Sequence, residues 1–165
     1  EEVNLAAQGY LESDLGRLKV EATADLCCQL NSDIEIVVDK SRFRRMSTQV
    51  GNVLFACVDS IDTRKLIFES VRGRVKLYVD GRMSAEVIRV LAVNDQVSGD
   101  HYTSTLFPAA EAFAGSCTAR SIIFAANICA GFMVSQFARW LRRMPVDAEI
   151  TLNLSASEMS IATTA

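Results

Sequence analysis

Val53-Leu54-Phe55-Ala56-Cys57-Val58-Asp59 is the stretch whose reading decides the fold. A strand with one wet face alternates apolar and polar residues. A run that is apolar at every position fits a central parallel strand covered on both faces. The run ends at a carboxylate, Asp59. In open α/β sheets, ligands bind where strands end at their carboxyl side, so position alone makes Asp59 a candidate site residue.

Downstream, Asp62 to Val71 has helical spacing with Leu66, Ile67 and Val71 inward. Val75, Leu77 and Val79 predict a strand that closes on the turn signal Asp80-Gly81. Ala85 to Val93 reads as a strand returning antiparallel, and Asn94 to Gly99 as loop. A long apolar helix is expected from about Ala119 to Arg142, ended by Pro145. Ile150 to Leu154 and Met159 to Ala162 then form a closing hairpin around Ser155-Ala156-Ser157.

Upstream, Glu1 to Ser13 reads as loop. A helix over Arg17 to Leu30 carries Leu18, Ala22, Leu26 and Leu30 on one stripe, which predicts that the stripe faces a core. The β-branched run Ile34 to Val38 predicts a short strand. The resulting fold class is α/β: a Rossmann-like doubly wound sheet, with parallel core strands and antiparallel strands toward the C-terminus. Residues 1–165 read as a single domain, and right-handed crossovers place Asp59 and Asp80 on one rim.

Composition narrows the function classes. Half the residues are apolar and 22% are charged, so the chain folds rather than staying disordered. A formal charge of −3 argues against nucleic acid, which wants a concentrated basic face. The basic clusters Arg42, Arg44, Arg45 and Arg139, Arg142, Arg143 read as solvated faces. Five cysteines without a C-x-x-C pair predict reduced, mostly buried thiols and no structural zinc. His101 reads as a surface loop residue. The apolar stretch Ile122 to Val134 is shorter than the roughly 20 residues of a membrane span and holds Asn127, so it predicts a buried helix and no membrane. Cytoplasm is the expected location.

The residues that could carry chemistry each have a plainer reading. Asp59 either holds Mg²⁺ beside a triphosphate or caps the helix that follows. Lys19, in the first turn of a helix, either meets an anion there or is solvated; Arg64 in the next helix poses the same choice. Cys117, after Gly115-Ser116 and before the long helix, is either an activated nucleophile or an inert thiol. Asn4 and Gln8 are loop amides.

Taken in order, these residues resemble a known family. Asn4-Leu5-Ala6-Ala7-Gln8 followed by Asp14-Leu15-Gly16-Arg17-Leu18-Lys19 is similar to the NLNRQ and D-x-G-x-x-K stretches of the ThiF/MoeB/HesA, ubiquitin-activating-enzyme-like adenylyltransferases. Val53 to Asp59 with Arg64 resembles that family's strand-Asp and helix-Arg unit. The resemblance implies ATP-dependent adenylation of the C-terminal glycine carboxylate of a ubiquitin-like or sulfur-carrier protein. It implies ATP and Mg²⁺ as cofactors, and commonly a homodimer. Carried over, Asn4 and Gln8 contact the triphosphate, Lys19 the nucleotide and Asp59 the metal. Arg64 braces the site, and Cys117 matches the family's thioester or persulfide cysteine. The family's N-terminal Gly-rich β-α unit is absent from this sequence, and Ala7 stands where the family has arginine. That loss favours a second reading, a non-catalytic nucleotide-binding or scaffold subunit paired with an active partner. A dinucleotide-dependent oxidoreductase shares the sheet type, but the chain offers no acid or base suited to hydride transfer.

Overall fold

The computed structural model describes residues 9–45, 49–107 and 122–162. They divide into two compact units, residues 1–43 and 44–165.

Among its described residues the first unit holds a single α-helix, α1 (Lys19–Leu30), preceded by a 3₁₀ turn at Glu12–Asp14. Asp14-Leu15-Gly16-Arg17 is a tight turn closed by Arg17 N donating to Asp14 O at 3.0 Å. Leu15 has φ −57° and ψ 129°, and Gly16 takes φ +83°. These are the values of a type II turn, whose third residue must be glycine to avoid strain. The turn delivers the chain to α1, where the Glu21 carboxylate accepts from Leu18 N at 3.4 Å. Of the stripe expected to face a core, only Ala22 is buried; Leu18, Leu26 and Leu30 are 48%, 50% and 80% exposed. Among the described residues of its own unit α1 has no second apolar layer against this stripe. Ile34 to Val38 forms no strand, and Val37 is 88% exposed. Its β-branched residues favour extended backbone, but a strand also needs a paired neighbour.

The second unit is a five-stranded sheet in the order β1 (Val53–Ala56), β2 (Leu77–Ser84), β3 (Val87–Val93), β4 (Glu149–Asn153) and β5 (Glu158–Ala162). β1 and β2 are parallel and joined by α2 (Ile61–Val71); every later pair is antiparallel. The parallel start, antiparallel finish and closing hairpin agree with the sequence reading. Residues alternate along β2 to opposite faces. Leu77 and Val79 join Ile88, Val90 and Ala92 in a core against Ala125, Cys129 and Met133 of α4 (Ile123–Leu141). Tyr78 on the other face packs edge-on against Phe68 of α2 and Tyr102 of α3 (Gln96–Ser104). The sheet is therefore sandwiched between helices.

Four expectations are corrected. β2 does not turn at Asp80-Gly81 but continues to Ser84, because Asp80 is held in the ladder opposite Ala56 on one side and Leu91 on the other. Asn94 to Gly99 is not loop, since α3 begins at Gln96. Asp95 accepts from Ser98 N at 2.8 Å, and Ser98 Oγ accepts from Asp95 N at 3.2 Å, a reciprocal capping box. His101 therefore lies on a helix, with Nε2 2.9 Å from Glu149 on β4. Of the described cysteines only Cys129 is buried; Cys28 and Cys57 are exposed and Cys27 lies between. No helix among the described residues is long and apolar enough to cross a membrane.

At Gly81 the side chains of Met133 and Cys129 on α4 lie directly against the sheet. A Cβ built there would lie 2.5 Å from Met133 Sδ and 2.9 Å from Cys129 Sγ. Methionine can swing its thioether aside, but Cys129 Sγ moves only by rotating χ1 or shifting the helix. Gly81→Ala is expected to destabilise the protein by about 1–3 kcal/mol, read as a fall in Tm. In a Cys129→Ala background the added cost of Gly81→Ala should shrink, because the neighbours share one space. Equal costs in both backgrounds would mean that the contact does not limit packing.

Candidate functional site

The rim at the carboxyl end of β1 is built from a short local stretch and one distant carboxylate. β1 ends at Ala56 and α2 begins at Ile61, leaving Cys57 to Ser60 to turn the chain. Ser60 caps α2, its Oγ accepting from Thr63 N at 3.4 Å. The capping role open to Asp59 is thus taken by its neighbour. Asp59 is exposed and has no ion-pair partner among the described residues.

Arg64, one turn into α2, points back under this loop. It is buried, with 6% of its surface exposed. Its guanidinium donates to the carbonyl oxygen of Val58 and forms an ion pair with Asp80. The first contact grips the residue before Asp59. The second ties that grip to the neighbouring strand.

Asp80 is fully buried and receives further donors. Arg82 Nε reaches Oδ2 at 2.8 Å and Tyr102 Oη reaches it at 2.9 Å. Arg82 also donates to Thr105 O at 3.1 Å, and its guanidinium lies 5.2 Å from the centre of the Tyr102 ring. Tyr78 and Tyr102 hydroxyls are 3.0 Å apart. Burial raises the pKa of both phenols, Tyr102 further because Tyr78 adjoins it, so each keeps its proton. With the Tyr102 proton directed at Asp80, Tyr78 is the donor in the tyrosine pair. Burial is also the main influence lowering the pKa of Arg64, followed by repulsion from Arg82. Two guanidinium groups on one carboxylate leave one positive charge in excess beneath the rim. Breaking a buried pair of this kind costs about 3–5 kcal/mol. The Cys57 thiol, although its residue is exposed, is pushed up by partial desolvation of the side chain, an effect the Arg64 charge only partly offsets.

The sequence-derived residues divide between the units. Asp59 and Arg64 come together at the rim of the second unit, linked through Val58. Lys19 opens α1 in the first unit and is exposed. Asn4, Gln8 and Cys117 lie outside the described residues. The reading of the sequence put Asp80 on the rim but gave it no partner, and it gave Ser60, Tyr102 and Arg82 no part. The Ser60-x-x-Thr63 spacing was a usable cap signal; nothing local marks the others.

No group of three or more potential ligands surrounds a metal position among the described residues. One uncommitted carboxylate suits Mg²⁺, which keeps several waters and is bound through one or two carboxylates together with substrate phosphates. It does not suit a metal caged by protein alone.

Comparison with known proteins places this geometry. No curated protein matches the sequence. Among solved structures, E. coli MccB with MccA-N7isoASN superposes at a TM-score of 0.71 with 11% identity, over 99% of this chain and 54% of that one. E. coli MccB with ATP gives 0.68 with 15% identity, over 99% and 53%. PaaA gives 0.67 with 15% identity, over 99% and 61%. The chain thus spans little more than half the length of these proteins, and at such identities the likeness is one of fold. The sequence itself matches the ThiF family over residues 1–164. The chain belongs to the ThiF family.

Proposed function

We propose that this chain serves an ATP-dependent adenylation, in which a carboxylate at the C-terminus of a peptide or small protein attacks the α-phosphorus of ATP. The observation that carries the reading is Asp59: an exposed carboxylate at the carboxyl end of a parallel strand, relieved of capping by Ser60 and steadied from behind by Arg64. Family membership and the fold shared with MccB, a structure of which holds ATP, support it.

The chemistry asks little of the protein beyond placement and charge. A carboxylate oxygen forms a bond to the α-phosphorus while the bond from that phosphorus to the bridging β-phosphate oxygen breaks. Pyrophosphate leaves with the electron pair, and the product is an acyl adenylate. The nucleophile is already ionised, so no base removes a proton and the lack of a second histidine is no obstacle. The barrier is repulsion between anions, lowered by preorganised cations and by alignment. Asp59 would hold Mg²⁺, which supplies charge neutralisation on the phosphates. Lys19 would add a cation to the nucleotide, while Asn4 and Gln8 would bind the triphosphate. Arg64 fixes the Asp59 loop, and Cys117 is a candidate acceptor for a later thioester or persulfide step. A ubiquitin-like or sulfur-carrier protein is the substrate we favour, with the enzyme a cytoplasmic homodimer.

One feature favours a second reading. Ala7 replaces the family's arginine, so a transition-state cation is missing and a nucleotide-binding scaffold paired with an active subunit is the competing assignment.

Thermal melting with ATP·Mg²⁺, ATP alone and NADH distinguishes these readings. At about 100 times the dissociation constant a bound ligand adds about 2.7 kcal/mol, or about 5–10 °C in Tm at this size. We expect a shift with ATP that requires Mg²⁺ and disappears in Asp59→Ala. A shift with NADH instead would refute adenylation. Pyrophosphate exchange, run on the full-length protein, then separates the enzyme from the scaffold: exchange that falls at least tenfold in Lys19→Ala supports the enzyme. Nucleotide binding without exchange supports the scaffold.

A further inference from the structure

The buried carboxylate of Asp80 does more than hold two helices to a sheet. It lies opposite Ala56, the last residue of β1, and so sits just behind the loop that carries Asp59. Its link to that loop is a single side chain. Arg64 spends one Nη on Asp80 and the other on the carbonyl oxygen of Val58. A guanidinium holds both contacts at once because its donors are fixed in one plane. Asp80 in turn is held on its second oxygen by Arg82 Nε and Tyr102 Oη, so it cannot rotate without losing partners on β2 and α3. The connection runs Tyr78–Tyr102–Asp80–Arg64–Val58 and ends on the carbonyl of the peptide that joins Val58 to Asp59. Asp59 itself meets no described side chain that would hold it. Its place therefore depends on the backbone that Arg64 grips.

We infer that Asp80 is a positioning residue for Asp59, acting through Arg64 to hold the Val58–Asp59 peptide in the place where the Asp59 carboxylate meets the metal-bound nucleotide. The inference rests on the adenylation reading for the identity of that ligand. The brace itself is a property of the chain without ligand. Removing the Asp80 charge leaves Arg64 with one fixed contact instead of two, so the guanidinium can rotate away from Val58. Asp59 then samples more orientations and captures the metal less well, while β1, β2 and α2 stay in register.

The test measures two quantities in the same protein. One is the ¹⁵N order parameter of the Asp59 amide without ligand; the other is the Mg²⁺ concentration that half-saturates ATP binding. In Asp80→Asn we expect the order parameter to fall from the rigid range near 0.85 toward about 0.6, and the Mg²⁺ midpoint to rise about tenfold. Should Asp80→Asn fail to fold, Arg64→Met cuts the same link to Val58 while Asp80 keeps Arg82 and Tyr102 as partners, and it should lower the Asp59 order parameter in the same way. Asp147→Asn is the control for stability, because it breaks a partly buried ion pair remote from the brace in sequence, Arg139–Asp147. It should lower Tm without moving either quantity. An unchanged Asp59 order parameter in a folded Asp80→Asn or Arg64→Met variant overturns the proposal, as does a Mg²⁺ midpoint that stays at the wild-type value. If the wild-type protein binds no nucleotide in a metal-dependent way, the adenylation reading falls, and the order parameter alone decides whether Asp80 fixes Asp59.

Discussion

A carboxylate with no exposed surface is the constraint on which the second unit depends. Asp80 is fully buried in the middle layer of a sandwich, where an ionised group without partners would be intolerable. Its surroundings follow from that requirement. Arg64 is drawn inward from α2, Arg82 folds back along β2, and Tyr102 turns its hydroxyl inward from α3. The partners come from three elements, so satisfying one charge fixes two helices relative to the sheet. Phe68, Tyr78 and Tyr102 then close around it, with the Phe68 and Tyr102 ring centres 4.4 Å apart. The network confers specificity of arrangement more than net stability, because an apolar cluster would fill the same space without the desolvation penalty.

The opposite face of β2 is organised by shape alone. Leu77 and Val79 face α4 while Tyr78 and Asp80 face α2 and α3, so one strand carries an apolar layer and a polar network on alternate residues. Gly81 sets the depth to which α4 can approach, and its missing side chain makes room for Met133 and Cys129. Asp80-Gly81-Arg82 thus pins one helix layer by charge and admits the other by absence of bulk. Three consecutive residues set the thickness of the sandwich beside the rim.

How much of this was legible depends on how far each signal travels along the chain. The strand at Val53–Ala56, the helix at Ile61–Val71 and the hairpin of β4 and β5 are written in local periodicity, and the turn at Gly16 in a local conformational demand. Asp80-Gly81 misled because the dipeptide is a common turn signal, and only the pairing of β2 on both sides overrides it. The α3 cap was readable in Asp95 and Ser98, a spacing that an Asn-Asp-rich loop reading obscured. The partner of Arg64 lies 16 residues away and that of His101 lies 48 away, across separate elements, so no window of sequence contains either pair. The Leu18 stripe is a different failure. Periodicity reports that a face is apolar but not that a partner is present to cover it.

The rim therefore illustrates a division of labour that the sequence motif compresses into two letters. In the proposed role Asp59 is available because two other residues have taken over the tasks that would otherwise restrain it. Ser60 satisfies the helix amide, and Arg64 supplies the rigidity. An aspartate that capped α2 would be ordered but spent; one without a brace would be available but mobile. Arg64 resolves that conflict only because Asp80 holds its other end. The arginine of the strand-Asp, helix-Arg unit is thus best understood in this chain as half of a buried pair, and its partner, fixed by three-dimensional packing, lies outside the motif altogether.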